Sequence, residues 1–453
     1  MIRLTAPVLG EETLTLMVTW TDWYLTGRYL TEGGDAVKAA MGLMGYTMWL
    51  IPSLFAAIAI GATAIIARRV GEGEFRAAQT TANQAITLGL IFAALISILT
   101  ATFGEHFVRA MQLQGEAAEF AHEYLWIILP VIPLIMLEQV GAACLRGAGD
   151  TVTGLVAKSV VVIVNMAVSL TWVVGLFGVE PIGWQGIAMG TAIGHSCGGV
   201  ILLAALLYGR YGLKLKRNML VPRQDYMSRL LKIGLPGGFD VATLLFSNLV
   251  FVAIINSLGT AAAAAHGLAV QIEACAYLPA NAFHVAAATL TGQFLGAGLP
   301  RRAQHAALVC VTASVIIISM TAMGMYWGGA DLAAWFTGQP DHPTTIMVAR
   351  LLRVIAWALP SLAILMVTTG ALRGAGDTIW PLSFTIFGFF CIRIPLALYL
   401  AMETVVIPVG GIEISGLNWG VAGAWTAMGI DIFCRSILVL IRFFQGGWKK
   451  KKV

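Results

Sequence analysis

Twelve apolar blocks, each long enough to cross a lipid bilayer, account for most of the chain. A membrane-spanning helix needs about 20 predominantly apolar residues, and each block reaches that length between charged or Gly- and Pro-rich turns. The apolar runs are continuous and do not alternate with polar residues, which disfavours a β-barrel. The sequence therefore predicts an all-α polytopic membrane protein with twelve transmembrane helices. The predicted spans are residues 8–30, 41–66, 79–103, 121–146, 152–177, 185–209, 232–258, 267–291, 304–329, 347–372, 380–402 and 419–444.

The amino-acid composition excludes an ordinary water-soluble domain. Hydrophobic residues occupy 58% of the 453 positions and charged residues occupy 11%, whereas soluble domains carry about 25% charged residues. The six cysteines all lie inside apolar blocks, and none shows the spacing of metal ligands. We therefore predict no cofactor and no metal centre.

The basic residues of the loops are unevenly divided between the two sides of the membrane. One set of alternate loops carries 21 of the 28 basic residues, and the other set carries five. Because basic loops stay in the cytoplasm, we expect both termini in the cytoplasm and the protein in the inner (plasma) membrane. Topology accounts for the net charge of +5, so nucleic acid is not expected as a partner. The longest basic loop, residues 209–232, suits contact with anionic membrane lipids.

The chain repeats itself. The heptapeptide Leu-Arg-Gly-Ala-Gly-Asp-Thr occurs at Leu145–Thr151 and again at Leu372–Thr378, in each case directly after an apolar span. Pro7 and Pro236 stand at corresponding places near the starts of the two halves. The sequence therefore predicts an internal duplication.

The duplication predicts a domain organisation. Residues 1–212 form an N-terminal six-helix lobe, 213–230 a cytoplasmic basic linker, and 231–453 a C-terminal six-helix lobe. Because each lobe has an even number of spans, the repeats are parallel. Substrates of such proteins bind between the lobes near the middle of the membrane, and rocking of the lobes alternates access. This arrangement favours a transporter over a channel or an enzyme.

Four segments resemble the MATE (multidrug and toxic compound extrusion) family. They are the repeated Leu-Arg-Gly-Ala-Gly-Asp-Thr turns, Trp20–Gly27, Ile233–Pro236 and Ala286–Gly296. The resemblance covers nearly the whole chain and is strongest to the DinF-like branch. It implies a V-shaped fold of two lobes and export of organic, often cationic, small molecules by antiport with H⁺ or Na⁺.

Asp22 is the candidate coupling residue. A carboxylate inside a span is costly unless it is paired, protonated or solvated, and Asp22 lies past the middle of the first span. The resemblance assigns the same cation site to Asn165, with Thr191 and His195 as further members. Where the family often has a second aspartate, this chain has Ser169. Na⁺ gains from two carboxylates, so H⁺ is favoured, although Na⁺ at Asp22 stays open. A structural hydrogen bond is the alternative role of Asp22.

Other polar and aromatic residues inside the spans are candidates for lining a substrate cavity and attracting cations. Glu138 and the pair of Asp431 with Arg435 are interpreted as structural. The candidate cavity residues are Trp20, Tyr24, Asp240, Asn248, Gln271 and Glu273.

Two other functions remain as alternatives. A flippase for lipid-linked oligosaccharides would need a cationic cavity for pyrophosphate, whereas the charges inside the spans are mainly acidic. A membrane-embedded enzyme would need a catalytic motif such as HExxH, and a P-loop would be needed for ATP; the sequence contains neither. A receptor is disfavoured by the parallel repeat.

Overall fold

The computed structural model describes residues 1–30, 34–111, 114–407 and 412–451, and the described chain is almost entirely helical. The α-helices are α1 (Ile2–Tyr29), α2 (Gly34–Leu54), α3 (Ala56–Gly71), α4 (Phe75–Ala110), α5 (Glu116–Ile128), α6 (Ile132–Met136), α7 (Ala142–Ala148), α8 (Val152–Val174), α9 (Gln185–Tyr208), α10 (Gln224–Ser257), α11 (Thr260–Gly296), α12 (Pro300–Thr337), α13 (Pro343–Ala356), α14 (Leu359–Gly374), α15 (Ile379–Phe387), α16 (Ile394–Ala401) and α17 (Gly420–Gln445).

The predicted spans coincide with these helices, so the prediction of an all-α polytopic fold is confirmed. Within the described residues, eight helical segments are long and apolar enough to cross a membrane, and the bent pair of α13 and α14 makes a ninth. The other three predicted spans correspond to α1, α11 and α17. These three carry charged residues in their interiors, including Asp22, Glu273 and Asp431.

Several spans are broken. The fourth consists of α5, α6 and α7, separated by a 3₁₀ turn at Leu129–Val131 and a π-helical turn at Leu137–Gly141. A bend of 55° separates α13 from α14, and Pro360 follows it. A second π-helical turn, Gly388–Arg393, joins α15 to α16. Proline removes a backbone donor and π-helical turns are frequent at functional sites; here each π-helical turn carries one charged residue.

A short β-hairpin follows α16, which the sequence analysis did not predict. Strands β1 (Thr404–Ile407) and β2 (Ile412–Ser415) pair antiparallel, with Thr404 opposite Ser415. Both strands are rich in β-branched residues, which favour extended backbone. The prediction had treated this segment as a loop between the last two spans.

The chain divides into two compact units, and the boundary lies between Gly238 and Phe239 inside α10. The first part of α10 packs on α3, where a Cβ atom added at Gly234 would collide with the carbonyl of Ala57. This close approach requires glycine at that position. We call the two units the N-terminal unit (Ile2–Gly238) and the C-terminal unit (from Phe239 onward).

The basic segment before α10 is fixed to the N-terminal unit by side chains of α4. The amides of Gln79 and Asn83 both donate hydrogen bonds to the carbonyl of Lys214, at 2.8 and 3.0 Å. The Gln84 amide donates to the carbonyl of Met219 at 2.6 Å. These buried polar side chains satisfy backbone groups that form no helix or sheet. Residues 213–223 are therefore docked on the first unit.

Each copy of the repeated heptapeptide holds its unit together through an arginine. Arg146 donates a hydrogen bond to Glu11 at 3.2 Å in the N-terminal unit. Arg373 donates to Asp240 at 2.6 Å in the C-terminal unit. In both units the motif arginine thus ties the end of one span to an acid on the first span of that unit.

The aspartate of each heptapeptide makes a second tie. Arg210 donates to Asp150 at 2.6 Å, and Arg442 donates to Asp377 at 2.9 Å. Asp150 also accepts hydrogen bonds from the backbone and hydroxyl of Thr153, so it satisfies a backbone donor in the first turn of α8. The repeated motif is therefore a structural junction in both units.

Candidate functional site

The candidate coupling residue and its aromatic neighbours lie on opposite sides of α1. Trp20 and Tyr24 are one helical turn apart and are 54% and 61% exposed, whereas Asp22 points to the other side of the helix. That side also carries Leu25 and Thr26, which are buried. The Asp22 carboxylate therefore turns into the N-terminal unit, and the two aromatic rings turn out of its packed interior.

Asp22 meets a cluster of neutral polar side chains. Tyr124 of α5 is buried and lies within electrostatic reach of Asp22 and within hydrogen-bonding reach of Thr191. The Asn165 amide donates a hydrogen bond to the Thr191 hydroxyl at 3.2 Å. The hydrogen bond links two of the predicted site residues, Asn165 and Thr191, and Tyr124 lies near both Thr191 and Asp22. We call Asp22, Tyr124, Asn165, Ser169 and Thr191 the acid pocket.

Glycines on α9 allow α8 to approach closely enough to form the acid pocket. A Cβ atom at Gly190 would collide with the hydroxyl of Ser169, and one at Gly194 would lie 2.8 Å from the carbonyl of Val161. Helix interfaces in membranes use small residues in this way because they let the backbones approach. The two glycines place Asn165 and Ser169 against α9.

Three oxygen atoms of the acid pocket are buried without a hydrogen-bond partner among the described residues. They are Asp22 Oδ1, Asn165 Oδ1 and Ser169 Oγ. A buried polar atom without a partner costs about 1–3 kcal/mol. Oxygens of this kind can hold a proton, and one carboxylate with neutral oxygens is also a donor set that fits Na⁺. The pocket is thus suited to a small cation.

His195 belongs to a different group. Its Nδ1 lies 3.0 Å from both carboxylate oxygens of Glu138, on the π-helical turn of the fourth span. Lys158 of α8 lies 3.5 Å from the same carboxylate. His195 follows Thr191 by one turn of α9, so the two groups are neighbours along the helix. We call Glu138, Lys158 and His195 the buried triad.

In the C-terminal unit, Asp240 is held by an ion pair. Its side chain is 2% exposed and accepts a hydrogen bond from Arg373. A buried carboxylate is stable only with such a partner. This contact with the motif arginine explains how the Asp240 carboxylate can be buried without a bound substrate beside it.

The other candidate cavity residues are spread over two helices. Asn248 and Gln271 lie on exposed faces of α10 and α11, and Glu273 lies within electrostatic reach of Arg393. Arg393 in turn donates a hydrogen bond to Asp431 at 2.9 Å.

Asp431 is the centre of a buried cluster. Arg435 donates two hydrogen bonds to it, at 2.8 and 2.7 Å, in addition to the bond from Arg393. Both guanidinium groups also stack on the ring of Phe389, at 4.4 and 4.7 Å. The prediction that Asp431 and Arg435 pair with each other is confirmed. We call Arg393, Asp431 and Arg435 the arginine cluster.

Sequence reasoning missed two members of these groups. Tyr124 lies in an apolar block, where an aromatic residue gives no signal of its own. Lys158 was counted with the basic loops, although its side chain is only 15% exposed and turns to Glu138. Its position six residues inside α8 was the available signal, because a lysine at that depth needs a partner.

The MatE family model matches the chain twice, over residues 7–171 and 236–399. The two matched stretches begin at Pro7 and Pro236, the prolines that the internal repeat places in register. Together they cover more than half of the chain, and the duplication predicted from the sequence reappears as two matches to one model.

Curated relatives match along the whole chain. A probable multidrug resistance protein NorM of Thermotoga maritima is 26% identical over 100% of this chain and 93% of its own length. The probable multidrug resistance protein YoeA of Bacillus subtilis is 23% identical, with 99% and 93% covered. The multidrug resistance protein MdtK of Yersinia pestis is 25% identical, with 90% and 88% covered.

Solved structures share the fold. One described as the outward-facing conformation of a multidrug resistance MATE family transporter superposes with a TM-score of 0.87 at 20% identity, covering 100% of this chain and 96% of that chain. A MOP superfamily transporter from Pyrococcus furiosus superposes with a TM-score of 0.86, also at 20% identity and with the same coverage.

Proposed function

The chain belongs to the MatE family of multi-pass membrane transporters, and from that premise we propose that it exports organic cations by antiport with protons bound at Asp22. Membership in this family makes the chain a multidrug-type efflux transporter and not an enzyme. The substrate and the coupling ion are our own proposals.

The observation that supports the proposal is the buried Asp22 oxygen, which has no hydrogen-bond partner within the described part of the chain. An ionised carboxylate in a membrane interior is costly, and none of the residues grouped with it in the acid pocket carries a formal positive charge. A proton removes that cost by neutralising the acid. Asn165 and Thr191 can hydrogen-bond with either form, since amides and hydroxyls both donate and accept.

The number of carboxylates in the acid pocket favours H⁺ over Na⁺ as the coupling ion. The acid pocket has one carboxylate, with Ser169 where the family often has a second acid, and the other oxygens are neutral. A proton needs one acidic group, whereas hard metal cations bind best to several charged oxygens. We therefore propose H⁺ as the coupling ion.

Coupling would follow from the neutralisation of Asp22. The proton enters from the outer side, Asp22 becomes neutral, and the packing that this unit prefers changes. That change lowers the affinity for a bound cation, which leaves to the outside. We propose the inner membrane as the location, with both termini in the cytoplasm, from the distribution of loop charges.

The proposal is tested by dye export from proteoliposomes under separately imposed gradients. A fluorescent organic cation should be exported under a proton gradient, while a sodium gradient of equal size should give only the background rate. Export driven by sodium alone would contradict the assignment of the ion, and no export under either gradient would contradict the proposed function.

A further inference from the structure

Glu138, Lys158 and His195 lie outside the acid pocket but within the same unit. Their side chains are 7%, 15% and 16% exposed, and they come from three elements: the π-helical turn of the fourth span, α8 and α9. A Cβ atom at Gly198 would lie 2.6 Å from Glu138 Oε1, so glycine on α9 leaves room for this carboxylate. Side chains from three separate elements thus form one group of charged residues inside the unit.

We propose that the buried triad is a second proton-binding site, which accepts the proton released by Asp22 and passes it towards the cytoplasm. This inference rests on the proposed function. It gives His195 a role separate from the acid pocket, which the sequence analysis had assigned it to.

The charges of the triad favour such a role. Glu138 and Lys158 balance each other, so His195 can be neutral while Nδ1–H donates to the carboxylate. This bond leaves Nε2 as the atom that accepts a proton. The imidazolium that forms keeps the same Glu138 contact and is stabilised by it. The triad can therefore gain and lose one proton without breaking its hydrogen bonds.

The titratable groups on elements packed around His195 are few. In the described part of the unit they are Glu138 on the π-helical turn, Lys158 on α8 and Tyr124 on α5, which lies near Asp22. The 3₁₀ turn after α9 adds Tyr211 and Arg210, and Arg210 pairs with Asp150. The other ionisable residues of α5 are exposed glutamates and His122, which accepts a hydrogen bond from Trp126.

The two sites line up along two helices. On α9, His195 follows Thr191 by four residues, which is about 6 Å along the axis. On α8, Lys158 precedes Asn165 by seven residues, about 10 Å along the axis. Both shifts point from the acid pocket towards the end of the unit that carries Arg146 and the basic loops, which the charge pattern predicts to be cytoplasmic.

One proton moves in the step, and no electrons do. The Asp22 carboxyl gives up its proton to a bridging water, and each hydroxyl or water along the way accepts one proton as it releases another. His195 Nε2 takes the proton. Asp22 returns to the carboxylate form, and the imidazolium of His195 then loses its proton to water on the cytoplasmic side.

The test compares proton-driven export by wild type, His195→Gln and Asp22→Asn in proteoliposomes over a range of internal pH. Gln keeps a hydrogen bond to Glu138 and leaves the Glu138–Lys158 pair intact, so the variant should fold. We expect His195→Gln to slow export at least about tenfold and to flatten its dependence on internal pH, with unchanged binding of the organic cation. His305→Gln, a change at an exposed histidine, is the matched control.

Ring ¹⁵N spectra of histidine-labelled protein give a readout that does not depend on transport. The signal assigned to His195 by its loss in His195→Gln should titrate, and Asp22→Asn should shift its midpoint. A wild-type pH profile in His195→Gln, or a His195 signal that is constant over the pH range of transport, would overturn the second site. Full export by Asp22→Asn would instead overturn the proposed function, so the two failures are distinguishable.

Discussion

The two units share the same ion pairs at the ends of their helices but differ in the charged residues of their interiors. In each, the heptapeptide arginine pairs with an acid on the first span and the heptapeptide aspartate pairs with an arginine after or near the end of the last span. Gln79 holds the segment that follows the sixth span, and Gln304, at the matching position, accepts a hydrogen bond from Lys449 after the twelfth. The two units therefore share these hydrogen bonds and ion pairs at the ends of their helices.

The middles of the units differ. With the first acids of the two halves in register, the position of Asp22 corresponds to Phe251, which is buried and apolar. With the two heptapeptides in register, Glu138 corresponds to Leu365, which is also apolar. The C-terminal unit instead has ion-paired charges in its interior: Asp240 pairs with Arg373, and in the arginine cluster Asp431 pairs with two arginines. Because only charges that can change state can couple to an ion, we propose that coupling takes place in the N-terminal unit.

The largest expected effect on stability comes from Asp431→Asn. This change leaves Arg393 and Arg435 buried side by side without their shared carboxylate, at a cost of about 3–5 kcal/mol. Asp22→Asn removes no ion pair and should cost about 1 kcal/mol or less. Thermal unfolding in detergent measures both. If both variants lose the same amount of stability, the contrast between the ion-paired Asp431 and Asp22, which has no ion pair to lose, is wrong.

Glycine-to-alanine changes at the two interior sites should come next. At Gly190 the added methyl group collides with Ser169 of the acid pocket, and at Gly388 it collides with Arg435 and Asp431. Overpacking of this kind costs about 1–3 kcal/mol. Gly324→Ala is the control, because no described neighbour lies within 4 Å of a Cβ atom added there. Only Gly190→Ala should also weaken coupling per folded molecule, measured as export at equal protein in proteoliposomes.

The two motif arginines should differ in importance. Arg373 and Asp240 are 13% and 2% exposed, whereas Arg146 and Glu11 are 18% and 16% exposed. Arg373→Met should therefore cost about 2–3 kcal/mol by leaving a buried charge, and Arg146→Met about 1 kcal/mol. Adding Asp240→Asn to Arg373→Met should restore part of the loss. If the two single variants unfold at the same temperature, the ion pairs are equivalent in both units.

The smallest effect on stability is expected at the aromatic face of α1. Trp20→Phe and Tyr24→Phe change exposed side chains, so the free energy of unfolding should move by about 0.5 kcal/mol or less. If these rings contact organic cations, the Michaelis constant for export should rise while the dependence on the proton gradient stays the same. Loss of proton dependence in either variant would place the rings in the coupling site.

The sequence was sufficient for the parts of the fold that depend on composition and repetition. In a membrane, apolar blocks of about 20 residues are stable as helices, so each predicted span coincides with helix in the structure, and the heptapeptide revealed the duplication. Helix ends were less certain: α10 begins at Gln224, several residues before the predicted seventh span, because a helix can continue past its apolar stretch. The hairpin β1–β2 depends on strand pairing, which the block pattern does not encode.

The candidate site was only partly predictable. Asp22, Asn165 and Thr191 were named from the sequence, and the structure links Asn165 to Thr191 directly. The partner of His195 could not be predicted, because Glu138 lies 57 residues away and reaches it through a π-helical turn. Sequence spacing predicts contacts within one helix but not which faces of separate helices meet. For the same reason the sequence predicts Asp240 as a cavity residue but does not predict its contact with Arg373.

The central claim, that Asp22 carries the coupled proton, is tested most directly by proton counterflow. Proteoliposomes with a trapped pH dye and no imposed pH gradient are given a gradient of the organic cation, and the proton movement that this gradient drives is recorded. Wild type should move protons against the substrate, as should Glu105→Gln, a change at an exposed acid of α4. Asp22→Asn should move none while still binding the cation. Proton counterflow at the wild-type rate in Asp22→Asn would contradict the account.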